Sequence, residues 1–215
     1  MLRKFLFGNK DTNRYLRFMV RNPDETKGRI LSKSGVLFNT QGYKATSISD
    51  ITKATGYTKG AIYRHFKNKE VLEKETLYYL STRMFQILRE RIKSQSTAGD
   101  KLRAIFSYFE SYVIKPEVKG GCPLMNAAIE ADDSNPILRR EAIKILNILR
   151  DSVVTILQNG IRFKQIQKQT DAEYYATLII ASLEGAIMMS KLGGDNQDIK
   201  RIIRHLDRQI KDIET

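Results

Sequence analysis

The chain has 215 residues, a single cysteine and a net charge of +13, with 41% apolar and 28% charged residues. That length can bury a substantial core, one cysteine excludes an internal disulfide framework, and no uninterrupted apolar run reaches the roughly 18–20 residues of a membrane span. The expectation is a globular, cytoplasmic protein with no membrane partner, and the basic, interrupted start MLRKFLFGNKD does not resemble a secretory signal. The charge is uneven: residues 1–92 carry 19 Lys/Arg against 8 Asp/Glu, whereas the remainder carries 18 against 16. A basic front on a nearly neutral body points to an N-terminal module that meets a polyanion, or to a solvated basic surface.

Residues 1–22 show no clear periodicity and are expected to form a poorly ordered extension. Pro23-Asp24 opens the first predicted helix, with Asp24 as N-cap and Ile30, Leu31, Val36, Leu37 and Phe38 as its apolar side; Gly42 ends it. Ser47 with Asp50 three residues on fits a capping box, and Ile48, Ile51 and Ala54 share a face before Gly56 closes a short helix. Thr58 can cap the next, which runs to about Phe66. Asn68 caps a long helix to about residue 94, with Leu72, Leu77, Leu80, Met84, Ile87 and Leu88 along one side. Asp100 is expected to cap a helix carrying Leu102, Ile105, Phe106, Phe109 and Val113. After a loop over 115–121 comes a short helix in CPLMNAAIEA, then two long apolar-faced helices over 136–160 and 171–192. A charged helix over about 197–212 ends the series. Apolar spacing of three and four nearly throughout gives an all-α fold class: a head over 23–67 and a helical body over 68–215.

The stretch 58–66 carries Gly60, which costs a helix interior about 1 kcal/mol relative to alanine. On a helical wheel Ile62 and Phe66 share an inward face, while Gly60 and Arg64 point the opposite way, flanked by Tyr63 and His65. Thr58 and Lys59 lie at the exposed N-terminus. A glycine on an outward face lets something approach the backbone closely. Lysine and arginine supply charge and donors for base edges, and hydroxyls and a helix N-terminus suit phosphates. Two short helices around a glycine turn, the second presenting this face, describe a helix-turn-helix that binds DNA; an ordinary helical hairpin with a wet face is the plain alternative.

The segment GYKATSISDITKATGYTKGAIYRHFKNKEVL resembles the DNA-binding signature of the TetR/AcrR family of bacterial transcriptional regulators. It matches at Gly42-Tyr43, Thr46, Ile48, Ile51, Ala54-x-Gly56, Lys59-Gly60, Ile62-Tyr63, His65-Phe66 and Lys69-Glu70. GCPLMNAAIEADDSNP (121–136) also resembles a segment common in one branch of that family. The resemblance implies an N-terminal three-helix DNA-binding domain on a ligand-binding and dimerisation body. It implies that Thr46 and Ser47 touch phosphate, that Thr58, Lys59 and Gly60 face the groove, that Tyr63 and Arg64 read or flank bases, and that Tyr63, His65 and Lys69 clamp the backbone. Tyr43 is held as core. Residues 1–18 depart from the family pattern, in which Met19 would stand near the start; an upstream extension, a minor-groove arm and a disordered tail are the three readings.

The body offers little chemistry of its own. Of the two histidines, His205 is expected at the surface, and no phosphate loop, HExxH pair or CxxC spacing occurs. Glu130, Asp132 and Asp133 are expected to form a solvated helix end, so no metal, cofactor or enzymatic activity is expected. Cys122 opens a short helix and has two readings: a packed thiol, or a reactive one that makes the protein a redox- or electrophile-sensing regulator. The family resemblance places an inducer cavity among these helices, for which the candidates are Met84, Leu88, Phe106 and Phe109, with Tyr112, Cys122 and Met125. The two long helices are apolar on more than one side. Pairing across a twofold axis as a four-helix bundle would use Leu149, Val153 and Ile156 on one, and Ile180, Leu183, Gly185 and Ile187 on the other; core burial in a monomer is the alternative. The functional expectation is a homodimeric repressor bound to an inverted-repeat operator in double-stranded DNA and released by a small molecule. A DNA-binding protein that takes no ligand is its first competitor.

Overall fold

A computed structural model describes residues 23–131 and 135–215, which form nine helices and no named strand. In chain order they are α1 (Pro23–Gln41), α2 (Ile48–Thr55), α3 (Lys59–His65), α4 (Lys69–Lys93), α5 (Ala98–Ile114), α6 (Pro123–Ala131), α7 (Pro136–Arg162), α8 (Ala172–Gly193) and α9 (Gln197–Ile213). The expectations for residues 1–22, and for Asp132 and Asp133, lie outside the described residues.

Local chemistry fixes most boundaries. Ser47 and Asp50 close a capping box: the Ser47 hydroxyl oxygen accepts from Asp50 N–H at 3.2 Å, and the Asp50 carboxylate accepts from Ser47 N–H at 2.9 Å. Gly56 ends α2 in the left-handed region at φ 74°, where glycine carries no Cβ penalty. Thr58 caps α3 and Asn68 caps α4, each accepting the N–H of the third residue on. Two expected caps moved. α1 already includes Pro23, so Asp24 lies in its first turn. α5 is capped by Thr97, whose hydroxyl oxygen accepts from Asp100 N–H at 3.1 Å, so Asp100 is the third helical residue. Gly99, which reads as a breaker, lies inside that turn because the Glu214 carboxylate and Arg103 cover it and a Cβ would overlap them.

α1–α3 form the head, closed over Ile30, Phe38, Ile51, Ile62 and Phe66. The Phe38 and Tyr43 rings stack at 4.8 Å, which makes Tyr43 core as expected. α4 is the spine: it packs against α1 on one side and against α5, α6 and α7 on the others. α8 packs against α5, α7 and α9. At the end away from the head, the Arg103 guanidinium grips both Glu214 oxygens (2.8 and 2.7 Å) and Asp207 (2.7 Å), tying α9 to α5. Two-pronged arginine–carboxylate pairs are the stronger kind, although this one is partly solvated. α8 is long and apolar enough to cross a membrane by length and composition. It carries Glu184 mid-helix, and Ala176, Ile179, Leu183 and Ile187 are buried, so it packs as a core helix of the bundle.

Candidate nucleic-acid interface

The α3 helix divides as its sequence predicts. Ala61, Ile62 and Phe66 are buried; Lys59, Gly60 and Arg64 are exposed, Tyr63 is 40% exposed and His65 half-buried. Burying Ile62 and Phe66 fixes the rotation of this seven-residue helix, and that rotation turns Gly60 and Arg64 outward. A Cβ on Gly60 would meet nothing within 4 Å, so nothing in the protein's packing requires a glycine there. Lys59 Nζ lies 5.9 Å from the centre of the Tyr63 ring, one turn along the same face. Thr58 is exposed at the start of α3 and Ser47 at the start of α2. The Ser47 hydroxyl proton is engaged by Asp50 at 2.6 Å, leaving its oxygen as part of the cap.

Two expected DNA contacts are corrected. Thr46 is fully buried and its hydroxyl donates to Gly42 O at 2.7 Å, so it closes the turn between α1 and α2. Lys69 turns inward: its ammonium donates to Tyr43 O at 2.6 Å and pairs with Glu73 at 3.3 Å. Lys44 and Lys53 are exposed on the head and were not singled out by sequence, because an isolated lysine in a turn or on a short helix has no pattern to mark it.

Behind the head, α6 holds the junction. The Glu130 carboxylate accepts Tyr43 N–H and Lys44 N–H, each at 3.0 Å. The Asn126 amide donates to Asn39 Oδ1 at 2.8 Å and to Gly120 O at 2.9 Å, while the Asn39 amide donates to Lys119 O and Gly121 O, each at 2.8 Å. Asn135 donates to buried Glu73 of α4 at 2.8 Å. None of these contacts was legible in the sequence except as the acidic residue of the 121–136 segment.

The expected ligand pocket is only partly assembled. Met84 and Tyr112 line a slot of about 20 Å³, and Phe109 lines another of about 10 Å³ beside Leu149, Leu183 and Glu184. Leu88, Phe106 and Cys122 are packed in the core, and Met125 is half-buried against it. A far larger cavity, about 460 Å³, opens between the end of α5, the 115–121 loop and the α8–α9 turn, and of the predicted residues only Tyr112 lines it. Cys122 Sγ–H donates to the Glu184 carboxylate at 3.0 Å; burial first, then that carboxylate, push the thiol well above its ordinary range. A thiol held protonated out of solvent is a poor nucleophile, which counts against a reactive Cys122.

The expected dimer face is also corrected. Leu149, Val153, Ile156, Leu183 and Ile187 are buried within the protomer, the first two and Leu183 around a slot shared with Ile105 and Phe109 of α5, so core packing already occupies them. Ile180 and Gly185 are half-buried. The same two helices leave Ile143, Ile148, Tyr174, Met188, Met189 and Leu192 exposed.

Residues 30–76 match the profile described as bacterial regulatory proteins, tetR family, and residues 98–206 match the tetracyclin repressor-like C-terminal domain. The fold is similar to that of a TetR transcriptional regulator from Chloroflexus aurantiacus, at 35% identity and a TM-score of 0.85, covering 89% of this chain and 97% of that one. A TetR-family regulator from Cytophaga hutchinsonii aligns at 30% identity and 0.84, covering 91% and 98%. The HTH-type transcriptional repressor DhaR from Mycobacterium sp. (strain GP1) is 24% identical over 187 residues, 86% of this chain and 91% of that protein. With an outward-facing helix-turn-helix on an all-helical body and both halves matched, the chain belongs to the TetR family of bacterial DNA-binding transcriptional regulators.

Proposed function

We propose that the protein is a cytoplasmic homodimeric repressor that leaves its operator when a small molecule occupies the body. The observation that carries the DNA half is the outward face of α3, where Lys59, Gly60, Tyr63 and Arg64 lie clear of the packing made by Ile62 and Phe66. Lys59 and Thr58 address phosphates and groove edges at the start of the helix, and Arg64 is the candidate for base choice. The name of DhaR supports repression as the outcome of binding. Release by ligand is supported by the junction: Asn39 of the head donates to Lys119 O and Gly121 O, in the loop that walls the cavity of about 460 Å³.

The test is selection of DNA from a random duplex pool by the purified full chain. A dimer with one reading head per protomer selects an inverted repeat whose half-site centres lie about 34–36 Å apart, or a multiple of that. Recovery of direct repeats, or of no sequence at matched salt, would sink it. The thiol-sensing alternative is tested by timing Cys122 with a thiol reagent: a rate no faster than that of a buried, unactivated thiol removes it.

A further inference from the structure

The cavity of about 460 Å³ lies within the roughly 300–1,000 Å³ of small-molecule sites. Its apolar wall is Val113, Ile114, Pro116 and Ile187. Its polar groups are mostly spent. The Tyr112 hydroxyl donates to Gly121 O at 3.1 Å, the Ser190 hydroxyl oxygen accepts from Ile199 N–H at 3.0 Å, and the Asp195 carboxylate accepts from Gln197 N–H at 2.8 Å. The Asp195 carboxylate keeps acceptor capacity, and donors remain as well. The Lys191 ammonium gives one hydrogen bond, to Gly120 O, and has two N–H left. Asn196, at the start of α9, also lines the cavity, and its side-chain amide carries two N–H donors. Lys191 is the one cation among the lining residues.

The wall of this cavity is also the support of the head. Gly120 and Gly121 line it, and on the other side of the same loop the Asn39 side chain of α1 donates to Lys119 O and Gly121 O. Gly120 is packed so closely on the Asn39 carbonyl that a Cβ would overlap it. Lys191 thus holds, from within the cavity, the carbonyl of a residue that presses on the last turn of α1.

We infer that this cavity binds a small apolar carboxylate whose anionic group takes Lys191 from Gly120 O, leaving that carbonyl to Asn126, and that the loosened 119–121 loop moves α1 and with it the reading helix. This rests on the proposal that the protein is released from DNA by a ligand; it assigns the site and the ligand class. The apolar body covers Ile114, Pro116 and Ile187, and the carboxylate meets Lys191 and the Asn196 amide. A protonated amine could pair with Asp195 but would meet Lys191 as a like charge and leave it on Gly120 O, so it would not loosen the loop. Because the loop is bonded differently in the two states, the carboxylate binds the DNA-free form more tightly, by the same factor that it weakens DNA binding.

The test uses the full chain with octanoate as probe and octylamine and 1-octanol as chain-matched controls. Calorimetry without DNA measures binding, and displacement of the selected DNA fragment measures coupling. Octanoate is expected to bind at least about tenfold more tightly than either control, and Lys191→Met to lose about tenfold, the loss of one charged hydrogen bond. Ile114, 60% exposed, can be changed without touching the loop, and Ile114→Glu is expected to weaken octanoate similarly by like-charge repulsion. Asn39→Ala is expected to keep octanoate binding while octanoate no longer displaces DNA. The inference is overturned if octanoate does not bind, if it binds both cavity variants as tightly as the parent, or if octylamine binds better. It is overturned in its coupling half if octanoate displaces DNA from Asn39→Ala as it does from the parent. Release of DNA by some other molecule, with octanoate inert, removes this site and leaves the ligand-release proposal standing; Lys191-dependent octanoate binding by a protein that holds no DNA does the reverse.

Discussion

Ile62 and Lys59 lie three residues apart and serve opposite ends: one is sealed in the head and the other stands in solvent. Their separation makes a clean experiment. Lys59→Ala and Tyr63→Ala are each expected to cost about 1–3 kcal/mol of DNA affinity, with unfolding stability unchanged within about 0.5 kcal/mol, measured by fluorescence anisotropy on DNA and by denaturant titration. Parental affinity in both variants would misplace the reading face. Residues of this kind were legible because burial of apolar side chains fixes which way a helix turns. Thr46 and Lys69 were not, since a hydroxyl or ammonium beside a turn serves equally well for a phosphate or for a carbonyl of its own chain. Glu184 is a further residue whose environment only the structure reveals. Burial raises its carboxyl above the ordinary 4.5, with the Cys122 hydrogen bond opposing. A carboxyl raised in the folded state binds its proton more readily there than when unfolded, so its contribution is most favourable below the unfolded value and is lost as pH climbs through the folded one. Glu184→Gln, which keeps an acceptor for Cys122, is therefore expected to raise the melting temperature at pH 8 relative to parent. The gain should shrink as pH falls toward 4.5; a constant difference across the range would refute the assignment.

At the level of the helix, the nine elements were legible because spacing and caps agree along the chain. Ser47, Thr58 and Asn68 each accept the N–H they were expected to accept. The displaced cap of α5 has a physical reason: Thr97 stands three residues before Asp100, and a sequence cannot show that Glu214 and Arg103 would cover Gly99 between them. The inward sides of α7 and α8 were also beyond the sequence, because both helices carry apolar residues on two faces and periodicity does not say which is the core. Gly60 tests the element and its purpose together. With open space around its position, Gly60→Ala is expected to stabilise the fold by up to about 1 kcal/mol and to weaken DNA binding by filling the gap at the groove. A variant both more stable and equally tight on DNA would show that the close approach is not used.

For the molecule as a whole, the exposed stripe of α8 is where a second protomer is expected to sit. Leu192 is 81% exposed and Met188 lies one turn before it. The pair Met188→Asp and Leu192→Asp is expected to yield a folded monomer by sedimentation that loses most of its affinity for the full inverted repeat. Charges at Leu183 would report only unfolding, since that side chain is core. A double variant that stays dimeric would move the twofold axis elsewhere, with Ile143 and Ile148 the next surface to test. Gly120 sits where the loop of the body meets the last turn of α1. Its φ of 113° already disfavours any side chain, and a methyl group there would press on Asn39. Gly120→Ala should therefore displace the head with no molecule in the cavity. In a reporter strain such a protein would leave its target genes switched on in every generation: the signal would be inherited, not sensed. Spontaneous mutants selected for constant expression should gather at this codon, far from the helix that touches DNA.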